Sequence, residues 1–168
     1  MRVFLCMMLM LTYSSGASAA GNNGYGNISI RGVVIDAPCS VAPGDEDLQV
    51  NFGQVASAAL SNGRTSAEQS FSIRLLRCSP QIRDQVRIMF SGNTFSDGLY
   101  KPGNTDTSFG IGIRDAQGGP VVNGQPVAWQ DLVDGNNALR FSAFLKGREK
   151  TITPGEFQAQ VLFYLEYQ

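Results

Sequence analysis

The chain has no histidine in any of its 168 residues. That removes Ser-His-Asp and Cys-His nucleophilic catalysis, and with them the commonest zinc sites. Tryptophan occurs once, at Trp129, so a sugar-stacking aromatic platform has little support. Core or rim packing is the plainer reading of that residue. Charge is sparse, with 13 basic and 14 acidic residues and no block of one sign. A surface that neutralises nucleic-acid phosphates needs a basic patch, and none is present. No segment keeps a long 3.6-residue period, and no run of about 20 apolar residues could span a bilayer. Internal repeats and low-complexity tracts are also lacking.

What is present starts with an address. Arg2 is followed by the nine-residue apolar run VFLCMMLML (3–11), then by small and polar residues ending in Ala17-Ser18-Ala19. This is the layout of a secretory signal peptide with an A-x-A cleavage site. Cleavage is expected after Ala19, with Ala20 as the alternative. Removing 19 of 168 residues leaves 149, the size of one domain. Cys6 leaves with the signal, so Cys39 and Cys78 remain as an even pair in an oxidising compartment. A disulfide between them is expected, with Cα atoms about 4.4–6.8 Å apart.

Short alternating segments separated by turn residues fill the mature chain. Strands are predicted at 27–35 (NISIRGVVI), 48–52 (LQVNF), 69–78 (QSFSIRLLRC), 85–91 (QVRIMFS), 109–115 (FGIGIRD) and 136–145. A short strand is read at 126–129 and a helical turn within 56–63. Residues 117–125 hold Gly118-Gly119-Pro120 and Asn123-Gly124, which suit a hairpin region. In 109–115, Gly110 and Gly112 share one face and Phe109, Ile111 and Ile113 the other. The final segment, from Phe157 through Ala159, Val161, Phe163 and Leu165 to Tyr167, is apolar at every second residue and stops one residue short of the end. Seven or more short strands with one disulfide argue for an antiparallel β-sandwich of immunoglobulin type.

Candidate chemistry is thin. The acids of PGDED (43–47) could suggest calcium, but the alternating ligands and distal Glu of an EF-hand loop are missing. A solvated turn is the expected reading. Asp131 and Asp134 could pair as catalytic carboxylates, although a loop face explains them as well. Asn27-Ile28-Ser29 matches a glycosylation sequon and reads as strand residues. No catalytic residue, metal site or cofactor is expected. A secreted carbohydrate-binding β-sandwich stays open as an alternative.

The two ends of the mature chain stand out. A hydrophobic strand with no successor to cover it is a template for strand addition by another chain. The N-terminal alternating segment sits behind the glycine-rich leader GNNGYG and could act as a donor, or could fold back on its own domain. Here the sequence resembles subunits of chaperone–usher pili, the bacterial surface fibres that include type 1 and P pili. The resemblance is carried by ISIRGVVI, the Cys39/Cys78 pair, VNFGQV, SFSIRLLRC, FGIGIRDAQG and PGEFQAQVLFYLEYQ. It is most specific at the C-terminus, with Gly155 fourteen residues from the end and Tyr167 penultimate. SFSIRLLRC and FGIGI are similar to minor tip-adaptor subunits.

The resemblance implies an immunoglobulin-like sandwich that lacks its seventh strand. It implies a signal peptide at 1–19, a donor-strand extension at 20–35 and a pilin domain at 36–168. Ile28, Ile30, Gly32 and Val34 would be donor residues. Gly155, Phe157, Val161, Phe163, Leu165 and Tyr167 would form the acceptor groove and final strand. The implied partners are a periplasmic chaperone, an outer-membrane usher and neighbouring subunits or an adhesin. The implied location is the cell-surface pilus.

Overall fold

The computed structural model describes residues 26–32, 37–103 and 108–168. Seven strands follow in chain order: β1 (Ser40–Val41), β2 (Gln69–Cys78), β3 (Gln85–Gly92), β4 (Phe109–Asp115), β5 (Gln130–Asp131), β6 (Gly135–Gly147) and β7 (Val161–Tyr167). One four-residue helix, α1 (Ser57–Leu60), runs into a 3-10 turn at Ser61–Gly63, close to the predicted helical turn.

The strands form two antiparallel sheets, β1-β2-β6-β4 and β5-β3-β7. Register follows from alternation, because a one-residue slip would turn every apolar side chain to the wrong face. Phe71 lies opposite Phe141 and Ile73 opposite Leu139. Ile111 lies opposite Leu145 and Ile113 opposite Ala143. In the second sheet Ile88 faces Leu165 and Phe90 faces Phe163. The inner faces meet in one core, where the Phe90 ring of one sheet stands edge-on to Phe141 of the other at 5.0 Å. This is the sandwich that the turn-spaced strands predict.

Cys39 and Cys78 are bonded, with Cα atoms 4.1 Å apart, a little closer than the expected window. The bond ties the start of β1 to the end of β2. Here β2 carries a register shift between Leu75 and Cys78, and Arg77 takes a left-handed φ of 54°. The glycine face of β4 is not open. A Cβ on Gly112 would run into the Phe144 ring, and one on Gly110 would lie 2.6 Å from Leu99 Cβ. Both glycines allow side chains to lie flat on the outside of the sheet.

Several expectations change. Residues 48–52 are not a strand, and neither are the described residues 27–32 of the N-terminal segment. Residues 33–36, including Val34, lie outside the described residues. Alternation supplies one face, but a strand also needs a ladder partner. The final strand begins at Val161 rather than Phe157. β3 ends at Gly92, opposite Val161, so the ladder has nothing to run against further upstream. The predicted 126–129 strand reduces to a single bridge between Met89 and Pro126, with β5 just beyond it. The 117–125 region does turn back on β4, through Asp115 N–H to the Gly119 carbonyl and Val121 N–H to the Ile113 carbonyl, both 2.9 Å.

The PGDED turn is not simply solvated. Asp45 is buried, and its carboxylate accepts from the Arg74 backbone N–H at 2.7 Å and from the Arg74 guanidinium at 2.7 Å. These bonds, chiefly the one from the guanidinium, hold its pKa below the ordinary 3.8.

Candidate functional site: the uncovered edge of β7

β7 pairs with β3 along its whole length, from Gly92↔Val161 to Val86↔Tyr167. On its other side it has no partner strand among the described residues, being last in the order β5-β3-β7. The burial of facing residues differs sharply. Val86, Ile88 and Phe90 are 0–4% exposed. Their partners across the ladder, Tyr167, Leu165 and Phe163, are only half-buried, as are Val161, Ala159 and Phe157. All six pack against the core with one flank left to solvent. Burial raises the Tyr167 phenol pKa.

The apolar strip continues upstream of the strand. The Phe157 ring meets Phe109 edge-on at 5.1 Å and Phe52 at 6.1 Å. Phe52 and Val55 are half-buried against the same core, while Leu48, Gln49, Asn51 and Gln54 are exposed. Residues 48–55 therefore present a second length of backbone outside any ladder. Sequence reading placed a strand there without connecting it to this site; the period-two spacing of Val50 and Phe52 was the available signal. At the start of β7, the Tyr100 ring would lie 3.1 Å from a Cβ added to Gly92. Tyr100 is buried with no partner for its hydroxyl, and burial pushes its pKa up to about 12.

The structure thus brings together Phe157, Val161, Phe163, Leu165 and Tyr167. Gly155 is different: it is exposed, and an added Cβ would meet nothing within 4 Å. Ile28 and Ile30, from the other end of the chain, are 89% and 90% exposed. An added Cβ on Gly32 would also meet nothing within 4 Å.

The outer face of β7 carries Leu162, Tyr164 and Glu166. Arg87 on β3 reaches Glu166 at 2.7 Å and lies over Trp129, 4.3 Å from the ring centre. Trp129 is therefore a rim residue. The bond from Arg87 lowers the Glu166 pKa. Asp131 accepts a 2.7 Å hydrogen bond from the Gln85 side-chain amide. Among the described residues no cluster of His, Cys, Asp or Glu could hold a metal ion, and no helix is long and apolar enough to cross a membrane.

Known proteins share this architecture. The Fimbrial protein family matches residues 28–168. The chain is 38% identical to fimbria A protein of Serratia marcescens, over 99% of this chain and 98% of that one. It is 34% identical to the major MR/P fimbria protein of Proteus mirabilis strain HI4320, again over 99% and 98%. Among solved structures, it matches the P pilus rod subunit PapA with a TM-score of 0.71 and 27% identity, over 79% of this chain and all of that one. It matches a subunit of a chaperone–usher pilus, solved to explain rod uncoiling, with a TM-score of 0.73 and 28% identity, over 87% and 97%. The chain belongs to the fimbrial protein family: it is an exported structural subunit of a chaperone–usher fimbria, assembling with neighbouring subunits at the cell surface, and not an enzyme.

Proposed function

We propose that the subunit is joined into its fibre by donor-strand exchange. The gap beside β7 receives an extended segment from another molecule, and residues 20–35 of this chain fill the same gap on a neighbour. A periplasmic chaperone covers the gap first, and the outer-membrane usher is where the next subunit replaces it. The observation that carries this reading is the seven-residue edge of β7, unpaired among the described residues and backed by half-buried Val161, Phe163, Leu165 and Tyr167. An added strand would pair the backbone edge and cover that apolar strip in one step. Each large side chain brought from exposure to full burial contributes roughly 1.5–3 kcal/mol, so completing several half-buried ones contributes a large share of a domain's net stability.

Two positions in a fibre suit such a subunit. The tip-adaptor position is supported by SFSIRLLRC and FGIGI. The repeated rod position gains support from the relatives, which are named as major fimbria and pilus rod proteins. Deletion of residues 20–35 tests the mechanism. The truncated subunit is expected to reach the periplasm and to accept a strand but not to donate one, so that fibre growth stops behind it. Fibres of normal length and number would overturn the reading.

A further inference from the structure

We propose that the outer face of the β1-β2-β6-β4 sheet binds an acidic sugar, a saccharide unit with one carboxylate and neighbouring hydroxyls, held by Arg140 at the carboxylate and by Ser70 and Ser72 at the hydroxyls.

The site is a depression of about 590 Å³ on the side of the sheet turned away from the core. Its cause is local. Outward positions on β2, β6 and β4 alternate with the inward apolar set. In the ladders Ser70 lies opposite Ser142, Ser72 opposite Arg140, and Arg114 opposite Ser142. Three short hydroxyl side chains therefore make the floor, and two arginines stand beside them. The turn after β4 adds a wall through Ala116 and Gly118. Further along the same face, the space over Gly110 and Gly112 is filled by Leu99 and Phe144. Over the serines it is left open.

Some of the polar groups are already committed, and this fixes the walls. Arg114 has its Nε 3.1 Å from Glu68 Oε1, donates from Nη1 to the Gly118 carbonyl at 3.0 Å, and lies 4.8 Å from the centre of the Phe144 ring. Ser142 donates to the other Glu68 oxygen at 2.6 Å. Asp115 accepts from the backbone N–H groups of Gln117 and Gly119 in its own turn. The Ser70 and Ser72 hydroxyls and the Arg140 guanidinium have no partner among the described residues.

The uncommitted groups select the ligand. Glu68 and Asp115 balance the two arginines in number, so a polyanion gains nothing from the depression as a whole. Glu68 answers Arg114 and the turn holds Asp115, which leaves Arg140 as the unanswered cation. A guanidinium presents a fork of N–H donors that matches a single carboxylate. Beside it, two hydroxyls that both donate and accept suit the hydroxyls of a sugar rather than an apolar group. The ring is not stacked on an aromatic face: Arg114 covers Phe144, and the rings of Phe71 and Phe141 point into the core. One copy therefore binds weakly. A fibre that repeats the subunit repeats the site, and many weak sites engaging one surface gain through effective concentration.

The test uses assembled fibres, so it does not depend on how the subunits are joined. Saturation-transfer NMR is run on purified fibres with four probes at equal concentration: glucuronate, N-acetylneuraminate, glucose and acetate. At least one acidic sugar is expected to give a signal several-fold above both glucose and acetate. A signal from N-acetylneuraminate alone assigns the site to the ends of glycans, and one from glucuronate alone to acidic polysaccharide chains; either supports the site. Fibres of Arg140→Ala should bind about ten-fold more weakly, and Arg140→Lys should recover part of the loss. Lys146→Ala, outward on β6 but outside the depression, should bind like the parent. If Arg140→Ala does not assemble, Ser72→Gln, which fills the floor, takes its place with the same loss expected. No signal from either acidic sugar on parent fibres, or an equal signal from glucose or acetate, would overturn the proposal. So would binding that survives the change in the depression, or that falls equally in Lys146→Ala.

Discussion

Each sheet ends on two edges, and the chain finishes three of the four. β1 and β5 are two residues long, too short to template another strand. The β4 edge is backed by Tyr100, which exchanges both backbone hydrogen bonds with Ile111 at 2.8 and 2.9 Å, and by the return of 119–121. The β2 edge beside β1 is closed still more tightly. Ala42 N–H bonds the Arg74 carbonyl, Asp45 Oδ2 takes the Arg74 N–H, and the disulfide fixes the far end. β7 has none of these devices. It has seven residues, no proline and no bulge, no strand covers it among the described residues, and its edge is flanked by half-buried aromatic and aliphatic side chains. Among the described residues three edges are finished and an apolar one is left bare, which is the edge that the proposed strand exchange would use. The contrast is what supports the proposed joining site at β7.

The comparison can be broken first at the closed edge. Replacing both cysteines, Cys39→Ala with Cys78→Ala, releases a loop with a sequence separation of 39 residues. It is expected to cost about 3–4 kcal/mol in urea unfolding, a large share of a domain's 5–15 kcal/mol. The response to a donated strand at β7 should survive. Loss of both together would mean that the two edges are not independent.

A smaller effect is expected from Asp45→Asn. The folded pKa of Asp45 lies below its ordinary 3.8, so its contribution is complete above about pH 4 and disappears as the pH falls through the lowered folded value. Thermal unfolding of parent and variant should differ by on the order of 5 °C at pH 7 and converge as the pH falls through the lowered folded pKa. A gap that is constant with pH would show that the carboxylate's charge is not what closes this edge.

The smallest expected effect is a gain. Arg77 holds φ 54° at the β2 irregularity beside Cys78. Glycine adopts that conformation without the clash that a Cβ suffers, so Arg77→Gly should stabilise by about 0.5 kcal/mol in the same assay. Destabilisation would mean that the arginine side chain contributes more than the backbone strain costs.

How much of this was legible depends on where a segment's partner lies. β2 and β4 were read to the residue, because alternating apolar residues sit between clear turn signals and both strands find partners in the same chain. The inward residues of β7 were equally legible. The failures fall on segments with no ladder partner among the described residues: 27–32 and 48–52 alternate but form no ladder, and 157–160 keep the alternation without the strand. Periodicity reports a side-chain face and not a hydrogen-bond partner. Asp45 was missed for another reason. An acid beside Pro43-Gly44 looks solvated until the fold brings Arg74, 29 residues away, against it. The outer-face row of Tyr164, Glu166, Arg87 and Trp129 likewise needed the register before it could be seen.

The bare edge itself is tested most directly by supplying its missing neighbour. Purified mature subunit is mixed with a synthetic peptide of residues 20–36, and thermal unfolding is followed with and without it. Pairing and covering β7 should raise the Tm by more than about 10 °C at saturating peptide, and the same peptide with aspartate in place of Ile30 should leave it unchanged. A free subunit that is already highly stable, and that melts at the same temperature with either peptide or none, would show that the sandwich is complete within one chain and would contradict the account.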